Sequence, residues 1–159
     1  MTRASFSTPA ALVLALAALG LATGCGPRKV DPKLATYVSK FEQEAHSSVS
    51  SNVEFKTLDG YRGFCNPDMP RNHVWIDPRA WADTEGDAIA QELLVFHELG
   101  HCELSRPHDN REDSRGIPVS IMTSEGLGML EASYSENRQQ YIDELFRRPE
   151  AQADATATP

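Results

Sequence analysis

Leu93-Leu94-Val95-Phe96, running straight into His97-Glu98-Leu99-Gly100-His101, is the segment that most restricts what this chain can become. Four consecutive apolar residues cannot share one face of a helix, so a helix here must be buried on most sides and lie at the centre of the fold. The same helix carries two histidines four residues apart, one above the other on a single face. One divalent ion would satisfy both, since Zn²⁺ takes histidine nitrogen at about 2.0–2.1 Å. Glu98 is rotated off the histidine line, where it can reach a water on that ion without ligating and act as general base. The plain alternative is a pair of hydrogen-bonded core histidines. Thr84 as N-cap, with Glu85 and Asp87 at the positive end and Pro107 beyond the last turn, predicts this helix over about 84–104.

The flanking segments are those of a mixed fold. Leu34, Val38, Phe41 and Ala45 recur on one helical face after Asp31-Pro32. Val53 to Thr57 alternates and predicts a strand, and His73 to Asp77 predicts a second. Asp59-Gly60 reads as a turn and 65–70 as a loop, and a helical turn is expected from Asp77-Pro78 through Trp81. Asp109 to Arg115 is a charged loop. Ser133 and Glu136 have capping-box spacing before a helix carrying Tyr141 and Leu145. Residues 148–159 are expected to be a disordered tail.

The N-terminus sets the expected compartment. Arg3 precedes a charge-free stretch rich in Ala and Leu that is short for a permanent span, which reads as a secretory signal over 1–24. It ends in Leu21-Ala22-Thr23-Gly24-Cys25, which resembles the lipobox of bacterial lipoproteins, with Ala22 where Leu is more usual. That resemblance implies cleavage before Cys25, lipid on its thiol and anchorage at the cell envelope. Gly26 in place of Asp favours the outer membrane in a Gram-negative host. The net charge of −8 becomes −8 − 1 = −9 once Arg3 is removed. Such an acidic chain is a poor match to nucleic acid, and the expected mature unit over 25–147 is one domain and a monomer. Cys65 and Cys102 remain. In an oxidising compartment they suggest a disulfide, contributing roughly 4 kcal/mol by the chain-entropy model, with two buried thiols as the other arrangement.

His97-Glu-Leu-Gly-His101-Cys-Glu-Leu-Ser-Arg-Pro-His108, followed by Ser120-Ile121-Met122, resembles the metzincin zinc metallopeptidases. It is most similar to small bacterial metallopeptidase-like lipoproteins, and the likeness covers about residues 61–147. The resemblance implies a zincin-like α+β fold, with a small twisted sheet packed on the active-site helix and a C-terminal helix below. It implies Zn²⁺ as cofactor, His97, His101 and His108 as ligands, Glu98 as catalytic base and Met122 in the Met-turn. The implied activity is hydrolysis of peptide or protein substrates, with a non-cleaving zinc-containing binding lipoprotein as the alternative. Zincins bind extended substrate along the strand before the helix, which would make Val74, Trp75 and Ile76 the substrate edge, unless that strand is central. The sequence departs from the metzincin pattern in three places. Leu104 stands where that pattern has Gly, His108 comes one residue late, and Ser124 stands where some members have a ligating Tyr. The extra residue is expected in the Ser105-Arg106-Pro107 turn. Asp109, Glu125 and Glu131 are the competing third ligands, Cys65 could cap the metal, and Tyr134 could face the site.

Overall fold

The computed structural model describes residues 27–67, 71–125 and 127–147. The signal segment, Cys25 and the C-terminal tail lie outside them. The fold is α+β. Its elements are α1 (Ala35–Ala45), β1 (Asn52–Phe55), β2 (Gly63–Asn66), β3 (His73–Ile76), α2 (Pro78–Asp83), α3 (Ala88–Leu104) and α4 (Leu127–Leu145).

The three strands form one sheet in the order β1-β3-β2, with β1 parallel and β2 antiparallel to β3. Alternation along β3 sends Val74 and Ile76 into the core, both fully buried. Trp75 faces outward beside Phe64, with the two rings stacked. The segment 65–70, expected to be a loop, therefore begins inside a strand. Two further expectations are corrected. β3 is the central strand, hydrogen-bonded on both sides, so Val74, Trp75 and Ile76 offer no free edge to a substrate. The outer strand beside α3 is β2, which pairs with β3 alone among the described strands.

Helix α3 starts four residues later than the apolar pattern predicts. Thr84 instead closes α2, and Asp87 is the N-cap, accepting from the N–H groups of Ile89 and Ala90 at 3.0 Å each. Asp77 caps α2 with Pro78 at its first position. The α1 face predicted from spacing is the buried one, and Phe41 meets Phe96 of α3 edge to face at 5.2 Å. Helix α4 begins before the predicted capping box and kinks at Asn137. Glu92, buried on α3, accepts from Lys40 Nζ, Tyr134 Oη and Arg138 Nε, each at 2.7 Å. These bonds tie α1, α3 and α4 together through one satisfied carboxylate.

Candidate metal centre and its cleft

His97 and His101 project from one face of α3, and the chain must turn sharply to bring a third side chain to them. It does so after Leu104. Ser105 takes a left-handed conformation (φ 53°), and the Gly100 carbonyl accepts from the Arg106 N–H at 3.0 Å. The returning segment carries His108 back over the helix. The Nε2 atoms of His97 and His101 lie 3.1 Å apart, and those of His97 and His108 3.3 Å apart. Among the described residues this is the histidine, cysteine and carboxylate cluster whose donor atoms converge, all within 4.8 Å. Asp109 is paired with Arg111 instead, and Glu125 and Glu131 are not in the cluster.

The ring orientations are set from behind. His97 Nδ1–H donates to the Ile121 carbonyl at 2.9 Å, and His101 Nδ1–H donates to the Arg106 carbonyl at 2.6 Å. Each bond leaves a lone pair on Nε2, so two lone pairs face each other at 3.1 Å. A cation between them would make that arrangement favourable. Burial pushes His97 down to about 4 and lowers His101 as well, so both stay neutral donors at neutral pH. Ligands at about 2.05 Å in a tetrahedron lie roughly 3.3 Å from one another, which matches the two separations from His97 Nε2. The donor set therefore fits a tetrahedral ion such as Zn²⁺.

Met122 is fully buried beneath this centre in the turn 120–123. A Cβ on Gly100 would come within 2.5 Å of Met122 Sδ, so the glycine lets the sulfur pack directly against α3. The same turn is joined to the returning loop. Asp109 N–H donates to the Met122 carbonyl, and Ser124 N–H donates to Asn110 Oδ1.

Several residues here were not singled out by sequence. Arg106 is buried, and its Nη1 donates to the carbonyls of Glu144 and Leu145 at 2.9 Å each, while Nη2 pairs with the Glu144 carboxylate. Glu144 in turn accepts from Ser120 Oγ at 2.6 Å, and Ser120 Oγ accepts from Met122 N–H. One buried network thus links the end of α4, the loop bearing His108 and the turn bearing Met122. Nothing in the sequence pairs positions 106 and 144. Glycine inside a strand often marks a close approach of another group, a signal that Gly63 gives only once β2 is seen.

Glu98 is buried beside the histidines. Desolvation pushes its carboxyl up to about 8, and the nearby Cys65 backbone N–H pulls the other way. Glu98, His97 and His108 line a cleft of about 300 Å³ with Leu93, Leu94 and Leu130 on its apolar side. Cys65 and Cys102 are joined (Sγ–Sγ 2.08 Å), fastening β2 to α3, so Cys65 is not a metal cap. Tyr134 is committed to Glu92 and lies outside the cleft lining. His73 bonds Asn52 on the sheet, and His46 closes α1. Comparison with protein-family models, curated proteins and solved structures gives no match to this chain.

Proposed function

We propose that this chain is a metzincin-like zinc peptidase held at the cell envelope by lipid on Cys25. The observation that carries the reading is the convergence of three imidazoles, with His97 Nε2 3.1 and 3.3 Å from those of His101 and His108 and all three donor atoms within 4.8 Å, beside a buried carboxylate that opens on a cleft. His97, His101 and His108 would hold the ion. Zn²⁺ bound there supplies Lewis acidity, lowering the pKa of a ligated water and polarising a peptide carbonyl. Glu98 takes the proton from the attacking water and delivers it to the leaving amine. Its burial keeps bulk water from that carboxylate, and a neighbouring cation draws its pKa back down from about 8.

The substrate strand is assigned to β2 in place of β3. A peptide extended along β2 would make main-chain hydrogen bonds, and Leu93, Leu94 and Leu130 would take an apolar side chain next to the scissile bond. A chain that only bound metal would gain nothing from a buried Glu98, which costs desolvation energy.

The test is hydrolysis of a broad peptide library by the zinc-loaded chain, with and without chelator. The wild-type chain should cleave, chelator should abolish cleavage, and Glu98→Gln should keep one zinc per chain yet lose at least about 100-fold in rate. Zinc binding without cleavage would identify a binding lipoprotein instead. Fatty-acid analogue labelling that disappears in Cys25→Ser checks the anchor, and equal labelling of both proteins rules it out.

A further inference from the structure

Glu98 stands one residue from a ligand, but its carboxylate leaves α3 and lies against another element. A Cβ built on Gly63 of β2 would sit 2.6 Å from Glu98 Cγ and Oε1 and 2.7 Å from Cδ. Ordinary carbon contacts are about 3.5–4.0 Å, so any side chain at position 63 must displace the carboxylate by roughly 1 Å. Two residues further along the same strand, the Cys65 backbone N–H lies toward Glu98 and favours its charged form. Residues i and i+2 of a strand share one orientation, so the missing side chain and this N–H face the same carboxylate from one strand. The Cys65–Cys102 disulfide then fastens that strand to the helix that bears the histidines.

We propose that β2 is a positioning strand for the base. Gly63, by its lack of a side chain, and Cys65, by its backbone N–H, form a seat that fixes the Glu98 carboxylate relative to the three histidines. Cys102 ties the seat to α3. This inference rests on the hydrolase reading only for its catalytic consequence, since the seat itself is a contact between β2 and Glu98. Gly63 and Cys65 are positioning residues that act through Glu98. The atoms crowded by a new methyl belong to the far end of a side chain and not to backbone, so Glu98 yields while the strand stays in place.

The decisive variants are Gly63→Ala, Glu98→Ala and the double variant. Each is measured by melting temperature, by amide exchange at Cys65, by zinc stoichiometry and by kcat and KM for whichever library peptide is cleaved. Gly63→Ala should bind zinc within twofold of wild type. It should lose about 100-fold in kcat, the usual cost of a 1 Å misplacement, with KM within a factor of three. Cys65 amide exchange should speed by at least tenfold in Glu98→Ala, where the carboxylate that covers it is gone, while the neighbouring β2–β3 amides stay protected. Gly63→Ala should lower the melting temperature in the wild-type background and leave it unchanged in the Glu98→Ala background, where the methyl has room. An equal drop in both backgrounds, or Cys65 exchange indifferent to Glu98, would overturn the seat. Full kcat in Gly63→Ala would overturn its positioning role. If the wild-type chain hydrolyses nothing, the peptidase reading fails, and the exchange and melting results still decide the seat.

Discussion

Replacing Arg106 by methionine removes a guanidinium from a place where nothing can substitute for it. Arg106 is 6% exposed and Glu144 9% exposed, so the pair is shielded from water on both sides. Removing one partner of a buried ion pair costs about 3–5 kcal/mol, because the other charge is left uncompensated. The carbonyls of Glu144 and Leu145 lose their donor as well. For a domain of this size each kcal/mol moves the melting temperature by roughly 3–5 °C, so Arg106→Met should melt about 10–20 °C below wild type. Arg106 also fixes the loop whose carbonyl orients His101, so zinc affinity should fall by about 10–100-fold, as for other groups behind a metal ligand. Adding Glu144→Leu should recover part of the stability, since both charges are then gone. It should not recover all of it, because the α4 carbonyls remain without their donor and Ser120 loses its acceptor. Melts followed by circular dichroism, and zinc competition against a chromophoric chelator, measure both quantities. A shift of less than about 3 °C together with unchanged zinc affinity would show that this network does not hold the centre.

Four further outcomes can be checked directly. His108→Ala should lose zinc affinity by orders of magnitude in competition titrations, while Asp109→Ala, Glu125→Ala and Glu131→Ala stay near wild type. Ser105→Gly should stabilise the fold by about 1 kcal/mol in urea titrations, because a non-glycine residue at φ 53° is strained; a loss of stability would contradict this. Gly100→Ala should lower urea stability by up to about 2 kcal/mol, since crowding Met122 outweighs the gain in helix propensity; a stabilised variant would show that the sulfur can move aside. Hydrogen bonding from Arg79, then from the Leu58 N–H, holds Asp77 well below the usual carboxylate range, so its contribution is complete above about pH 4 and is lost as pH falls further. The stability gap between wild type and Asp77→Asn should therefore be widest near neutrality and close on acidification, and a gap that widens below pH 4 would reverse the assignment.

What the sequence disclosed follows from the range over which each signal acts. The buried helix, its histidine face and the α1 stripe are local periodicities, and the structure places all three as expected. The start of α3 was misjudged because Thr84 and Asp87 are both acceptable caps. The choice between them depends on where α2 ends, which hydrogen bonding to Ala80 and Trp81 decides. Strand order is a pairing between distant segments, and a stretch reading His-Val-Trp-Ile carries no mark of being central or at an edge. β2 itself was obscured because only Gly63 to Asn66 is extended before the proline-containing turn. The network joining Arg106, Ser120 and Glu144 was invisible because each residue, taken alone, resembles an ordinary surface polar side chain.

His108 reaches the other two histidines through where the helix ends and through the contacts beyond it. The pattern that the sequence resembles has a glycine three residues after the second histidine and the third histidine three residues later. Here α3 continues through Leu104, the position of that glycine, and the left-handed residue is Ser105. From Ser105 to His108 is three residues, so the chain leaves the helix within Ser105-Arg106-Pro107. A helix lengthened by one residue rotates its end by about 100° and advances it about 1.5 Å. The returning chain must therefore be steered back by other contacts. The Gly100 carbonyl takes the Arg106 N–H at the turn, the guanidinium of Arg106 grips the end of α4, and Asp109 N–H holds the Met122 carbonyl. Leu104 and Ser105 stand where a glycine would have made the turn without strain, and these three contacts hold the chain in that turn and bring His108 to the other two histidines.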